Sequence, residues 1–173
     1  MIPATRFVEL DKSVHDRKSF DCGTEELNQF LQLYAARHRS AGISMTMVLP
    51  EKSNKSAICA YYTLSHTEIE RSTLPKKFAK RLPHYPVPVI LIAQLAVDQQ
   101  CHGKGLGKVT LIRAFKQAYA INEHLPSFAV VVDALDDDVQ GFYEQYGFEV
   151  LETDNHRKRL FLSMNTIAKL LAG

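Results

Sequence analysis

Between Val89 and Val97 the chain reads VILIAQLAV, an almost unbroken apolar run of nine residues. Its length and composition suit a strand covered on both faces, and charges interrupt every hydrophobic run well before bilayer-spanning length. The run passes at once into Asp98-Gln99-Gln100-Cys101-His102-Gly103-Lys104-Gly105-Leu106-Gly107-Lys108. A helix is expected from there to about residue 122, with Leu111, Ala114, Phe115 and Ala118 on one face. Residues 128–133 (FAVVVD) read as a second buried strand, and residues 137–146 as a short helix. Strand, glycine-rich turn, helix and strand in succession call for a mixed α/β sheet with helices on both faces.

The remaining elements are read around that centre. Residues 5–10 are expected to form a first strand. Asp21-Cys22-Gly23-Thr24 then opens a helix with Glu25 and Glu26 at its positive end. Leu27, Phe30, Leu31, Tyr34 and Ala35 follow at helical spacing, and Gly42 ends the helix. Strands are expected at 43–50 and 57–69, a short basic helix at 74–82 closed by Pro83, Pro86 and Pro88, and final strands at 148–151 and 159–164. At 173 residues with 46% hydrophobic side chains, the chain is expected to be one domain, 1–173. Three cysteines with no C-x-x-C spacing provide neither a disulfide framework nor a zinc site, which suits a reducing cytoplasm. A net charge of +2 leaves the question of nucleic acid to the placement of the charges.

A glycine-rich turn between strand and helix is an anion site: small residues admit the backbone, its amides converge, and the helix dipole favours negative charge. Spacing separates the known kinds. The P-loop fails, because His102 stands where its first glycine belongs and Val109 follows Lys108. The dinucleotide fingerprint fails at Lys108, where it needs glycine. The pattern [QR]-x-x-G-x-G is met by Gln100-Cys101-His102-Gly103-Lys104-Gly105, with Gly107 beyond it. This loop resembles the pyrophosphate-binding loop of the GNAT superfamily of N-acetyltransferases. The likeness extends from about residue 5 to 165, with its motif core at about 89–150. It implies the GNAT fold and acetyl-CoA as acetyl donor. The amides of His102, Gly103, Lys104, Gly105, Leu106, Gly107 and Lys108 would hold the pyrophosphate beside Gln100. The backbone of Leu95, Ala96 and Val97 would pair with the pantetheine arm.

Phe142-Tyr143-Glu144-Gln145-Tyr146-Gly147-Phe148 resembles the F-Y-x-x-x-G-F part of a second GNAT signature, whose usual small residue is displaced here. The resemblance implies that Tyr143 is the catalytic acid. An amine attacks the acetyl carbonyl and a thiolate leaves; a free thiol has a pKa of about 8.5, so a phenol that protonates the developing thiolate assists. Backbone amides of the 95–97 strand would stabilise the oxyanion. Phe142 and Phe148 are assigned to packing, and Tyr146, three residues on, is a less favoured substitute. Nucleophilic catalysis finds little support, since Cys101 and His102 are adjacent and G-x-S-x-G is absent. No histidine spacing calls for a metal. Helix capping accounts for the acidic cluster Asp133, Asp136, Asp137 and Asp138 more simply than a cation does. No general base is assigned.

The N-terminal third is more particular. Phe20-Asp21-Cys22-Gly23, Glu26-Leu27-Asn28-Gln29-Phe30-Leu31, Ala35-Ala36-Arg37-His38 and Gly42-Ile43-Ser44 resemble the opening of the TacT-type toxins of GNAT/ribbon-helix-helix toxin–antitoxin systems; Leu74-Pro75 and Pro86-Val87-Pro88 fit as well. That resemblance implies acetylation of the α-amino group of aminoacyl-tRNA and a block of translation. It also implies a ribbon-helix-helix antitoxin, operator DNA contacted only through the antitoxin, and a homodimer. Lys76, Lys77, Lys80 and Arg81 crowd one side of the short basic helix; Arg37, His38 and Arg39 end the first helix, and Arg157, Lys158 and Arg159 lie near the C-terminus. On charge alone, a phosphate-contacting face and a solvated one are equally good readings; the resemblance favours RNA contacts at Arg37, Lys76, Lys77, Lys80 and Arg81. The alternatives are a GNAT enzyme for a small-molecule amine or a protein N-terminus, and a non-catalytic acyl-CoA-binding module. An intact loop together with Tyr143 counts against the module.

Overall fold

The computed structural model describes residues 1–151 and 158–173. Seven strands, β1 (Val8–Glu9), β2 (Met45–Pro50), β3 (Ile58–Ile69), β4 (Val87–Val97), β5 (Ala129–Ala134), β6 (Glu149–Val150) and β7 (Lys158–Ser163), lie in one mixed sheet in the order β1-β2-β3-β4-β5-β7-β6. The residues gather into two compact units, 1–65 with 93–114 and 66–92 with 115–173.

In the first unit, β1 and β3 flank β2 antiparallel, with Val48 opposite Tyr61. The N-terminal helix is not one regular rod. It runs as α1 (Glu25–Gln29), a π turn at Phe30–Tyr34, and α2 (Ala35–Ser40). Phe30, Leu31 and Ala35 of the expected stripe are buried with Val48, Tyr61 and Ala96, but Tyr34 is 45% exposed. The π turn explains the difference, because its wider winding displaces Tyr34 from the apolar face while keeping Ala35 on it. Gly42 terminates the helix as expected: its φ of +72° lets the Ile43 amide reach back to the His38 carbonyl at 2.9 Å.

At the end of β4 the carboxylate of Asp98, only 3% exposed, holds three segments together. It accepts from the Gln100 amide at 2.9 Å and from the Asp21 amide at 3.0 Å, while the Asp98 amide donates to the Cys59 carbonyl at 2.9 Å. Asp21 extends the network: its own carboxylate accepts from the Gly23 amide and from Asn28 Nδ2, both at 2.9 Å, and the Gln99 amide donates to its carbonyl at 2.8 Å. The Cys22 amide in turn donates to Asn28 Oδ1 at 2.9 Å. Gly23 has φ +85°, and a Cβ there would lie 3.3 Å from Gln99 Nε2, so glycine serves both the turn and the close approach. Thus the F-D-C-G segment, expected to open the helix, is built into the support of the turn that follows β4.

In the second unit, β4 pairs parallel with β5 from Val89 opposite Ala129 to Ile92 opposite Val132; β7 pairs antiparallel with β5 and with β6. Ala129, Val130, Val131 and Val132 are fully buried, as a central strand requires. The helix α4 (Leu106–His124) divides between the units, and its expected face, Leu111, Ala114, Phe115 and Ala118, is fully buried. The basic helix is shorter than expected: α3 covers only Lys76–Ala79, entered through Pro75, with single turn bonds carrying the chain to Leu82 before Pro83 stops it. Phe78 anchors it edge-on to Phe161 (5.3 Å) and Phe128 (6.0 Å). The helix α5 (Asp137–Glu144) starts at Asp136, whose carboxylate accepts from the Val139 amide at 2.8 Å. Beyond β7, which ends at Ser163 and not at Met164, the chain turns into α6 (Met164–Ala172), an element absent from the sequence reading. The Ser163 hydroxyl caps it by accepting from the Thr166 amide at 3.2 Å.

Asp98→Ala removes a buried carboxylate that accepts from two part-buried amides, so its expected cost is about 1–3 kcal/mol. Urea unfolding should show a lower midpoint with an unchanged slope; an unaltered midpoint would mean that water replaces the carboxylate at no cost.

Candidate active site

The turn after β4 is built for close approach of an anion. Gly103 and Gly105 adopt φ of +75° and +69°, a left-handed backbone that other residues rarely take, and open space lies where each Cβ would stand. The first turn of α4 begins at Leu106, and among the described residues no acceptor takes the amides of residues 103–108. Unused amides at a helix N-terminus, reached over two residues without side chains, suit a pyrophosphate. That fit rests on the glycine conformations and the unclaimed amides, and the residues named for the loop are all present in it. Gln100 and His102 are exposed, Leu106 is buried, and Lys108 is exposed.

Three contacts of this turn escaped the sequence reading. His102 Nε2 lies 2.7 Å from the Val97 carbonyl; a carbonyl only accepts, so this nitrogen carries the proton and ties the turn back to its own strand. Lys104 Nζ donates to the Met1 carbonyl at 2.9 Å, which anchors the N-terminal residue on the turn and directs this ammonium to protein. The third is the Asp98 network. Its only signal in the sequence is an acidic residue directly after a buried strand. Cys101 is fully buried against Cys59, whose thiol is pushed up to about 12, first by burial and then by Cys101 itself. Both thiols are buried, as packing groups are. Leu95 and Val97 are partly buried, and Ala96 joins the core beneath the N-terminal helix.

Tyr143 belongs to the second unit, on α5. It is 6% exposed, packs on Phe142 and Phe148 at 5.3 Å each, and its hydroxyl has no hydrogen-bond partner among the described residues. Burial, with the nearby Asp133 charge adding to it, pushes the phenol well above its ordinary value. A phenol of this kind keeps its proton throughout the physiological range. Phe148 is buried against Phe115 and fulfils the packing role expected of it; Phe142 and Tyr146 are half-buried.

The expected cations differ in their engagements. Lys76, Lys80 and Arg81 are exposed, whereas Lys77 meets Glu149 at 3.3 Å and lies 5.1 Å above the Phe78 ring. At the end of α2, Arg37 is exposed, His38 packs edge-on against Phe30, and Arg39 pairs with Glu9. Arg159 forms a two-pronged pair with Asp133 at 2.7 and 3.0 Å, Lys158 is exposed, and Arg157 lies outside the described residues. Asp133 and Asp136 are therefore engaged as ion-pair partner and helix cap. Among the described residues, no three of His, Cys, Asp and Glu gather as a metal site, and no helix is long and apolar enough to cross a membrane.

Comparison with known proteins places these features in a family. Residues 89–166 match the model of the acetyltransferase (GNAT) domain. Over 139 residues the chain is 30% identical to the tRNA-acetylating toxin of Mycobacterium tuberculosis, covering 80% of this chain and 81% of that one. The structure is similar to that of AtaT complexed with acetyl-methionyl-tRNAfMet, with a TM-score of 0.88, 27% identity and 96% and 98% of the two chains covered. It is also similar to AtaTR bound with AcCoA, with a TM-score of 0.83, 28% identity and 96% and 97% covered. With the glycine turn, the tyrosine helix and a homologue matched over four-fifths of both chains, the protein belongs to the GNAT family of N-acetyltransferases.

Proposed function

We propose that this protein transfers the acetyl group of acetyl-CoA to the α-amino group of aminoacyl-tRNA and acts as a toxin that blocks translation. The observation that carries this reading is the 30% identity to a tRNA-acetylating toxin across four-fifths of both chains. The whole chain, 1–173, is read as one GNAT domain acting in the cytoplasm, where charged tRNA is found. A ribbon-helix-helix antitoxin is the expected partner, with operator DNA reached only through it, and a homodimer is the expected assembly.

The donor supplies an activated acetyl thioester. The amides of residues 102–108 bind its pyrophosphate, and the backbone of residues 95–97 orients its pantetheine arm and offers amides to the oxyanion. Tyr143 Oη holds a proton for the departing sulfur, a task suited to a phenol that burial keeps neutral. The α-amine of an aminoacyl ester is less basic than a lysine amine, so much of it is neutral near physiological pH and no strong base need be built into the chain. Lys76, Lys80, Arg81 and Arg37 are exposed and available to phosphates, and Lys77 joins them by exchanging Glu149 for RNA.

The direct test incubates the protein and acetyl-CoA with a total pool of charged tRNA, then identifies N-acetylated amino acids by mass spectrometry. Acetylation of one or a few amino acids supports the reading. None, with acetyl-CoA bound, overturns it in favour of a small-molecule or protein amine. Tyr143→Phe is expected to lower turnover about 10²- to 10⁴-fold while acetyl-CoA affinity by calorimetry stays near wild type; undiminished turnover would remove Tyr143 as the acid. Reversing the charge of Lys76 and Lys80 together should weaken tRNA binding and lower the slope of log affinity against log salt by about 2. An unchanged slope would take the basic segment out of the interface.

A further inference from the structure

We propose that Tyr85 is a stacking platform for an unpaired base at the single-stranded end of the RNA acceptor. Its ring is 74% exposed, the highest value of any large hydrophobic side chain among the described residues, and no ring contact or hydrogen bond engages it there. Folding has no use for such a ring in water, since burial is what rewards an aromatic surface.

The segment that carries it is prepared for a ligand. Pro83 and Pro86 flank His84-Tyr85 and fix two backbone angles, so presenting the ring costs little conformational freedom. Arg71 locks the segment from below. Its Nε donates to the Ala79 carbonyl at 2.7 Å, and its Nη1 lies 2.8 Å from His84 Nδ1, which accepts because a guanidinium only donates. From residue 71 to residue 97 the chain has five Lys or Arg and no Asp or Glu, in a molecule whose net charge is +2. Among the described residues, Lys77 alone of these five meets a carboxylate, that of Glu149.

Cations alone would hold phosphates of any nucleic acid, double or single stranded. An exposed ring among them selects unstacked bases, because every base has a face and a duplex hides it. The amino acid of a charged tRNA is esterified to an unpaired 3′ end, and this assignment rests on the proposed function above. It adds a contact to a base beside contacts to phosphate.

The experiment compares Tyr85→Ser and Tyr85→Phe in the full chain, following acetylation of charged tRNA and binding of acetyl-CoA. For Tyr85→Ser, KM for charged tRNA should rise about 5- to 150-fold, the range of one lost base stack, with kcat and acetyl-CoA affinity near wild type. Tyr85→Phe keeps the ring and should restore the wild-type KM. A labelled single-stranded RNA with the tRNA 3′ sequence should lose affinity for the serine variant, whereas a blunt RNA duplex should not. An unchanged KM in Tyr85→Ser overturns the platform, as does an equal defect in Tyr85→Phe or a defect confined to binding of a protein partner. A wild-type protein that binds acetyl-CoA but leaves charged tRNA unmodified overturns the function beneath it instead.

Discussion

A buried carboxylate at the end of a central strand sets the geometry of the turn that follows it. Asp98 receives one amide from its own turn and one from Asp21, and through Asp21 it draws in Gly23, Asn28 and Gln99. Without those anchors, the two left-handed glycines would be free to wander, since glycine loses more backbone freedom on folding than any other residue. The network converts that freedom into one shape whose amides no described residue takes. Preorganised donors of this kind bind an anion without rearranging, which is where an acetyl-CoA site obtains much of its affinity.

The segment from Phe20 to Leu31 thereby has two faces of meaning. Its likeness to one group of GNAT toxins points to substrate, yet Asp21 within it braces the turn proposed to carry the donor's phosphates. Phe20 packs edge-on against Tyr61 at 5.4 Å, and Tyr61 donates to the Leu27 carbonyl at 2.7 Å, so the brace is fastened to the sheet as well. A motif shared within a subgroup can thus report a way of stiffening a common site as much as a choice of acceptor.

What the sequence made legible was short-range and periodic. The run 89–97, the glycines at 103 and 105, the buried face of α4 and the cap at Asp136 all follow from local composition, and the structure has each of them. Contacts between distant residues were not legible: Lys104 on Met1, Asp98 on Asp21 and Arg159 on Asp133 pair groups whose spacing carries no signal. The basic helix is shorter than its expected 74–82 at both ends, because Pro75 enters it with an extended backbone and beyond Ala79 only single turn bonds reach Leu82. The C-terminal helix went unread because an apolar strand runs straight into it, with Ser163 as the one punctuation mark. Of the candidate site, the glycine turn was readable down to individual residues, whereas the engagement of Lys77 and Arg39 by carboxylates was not.

The π turn at Phe30–Tyr34 bears on how this helix came to be and how it tolerates change. A π turn closes its hydrogen bond one residue further along the chain than the α-helical winding it replaces, so it holds a surplus residue within the same advance. The residues before it and after it keep their apolar faces on the same core, while the surplus is expelled as an outward bulge that includes Tyr34. Length variation among relatives is therefore expected to concentrate at these five positions, because a one-residue deletion there heals the winding without rotating either flank off the sheet.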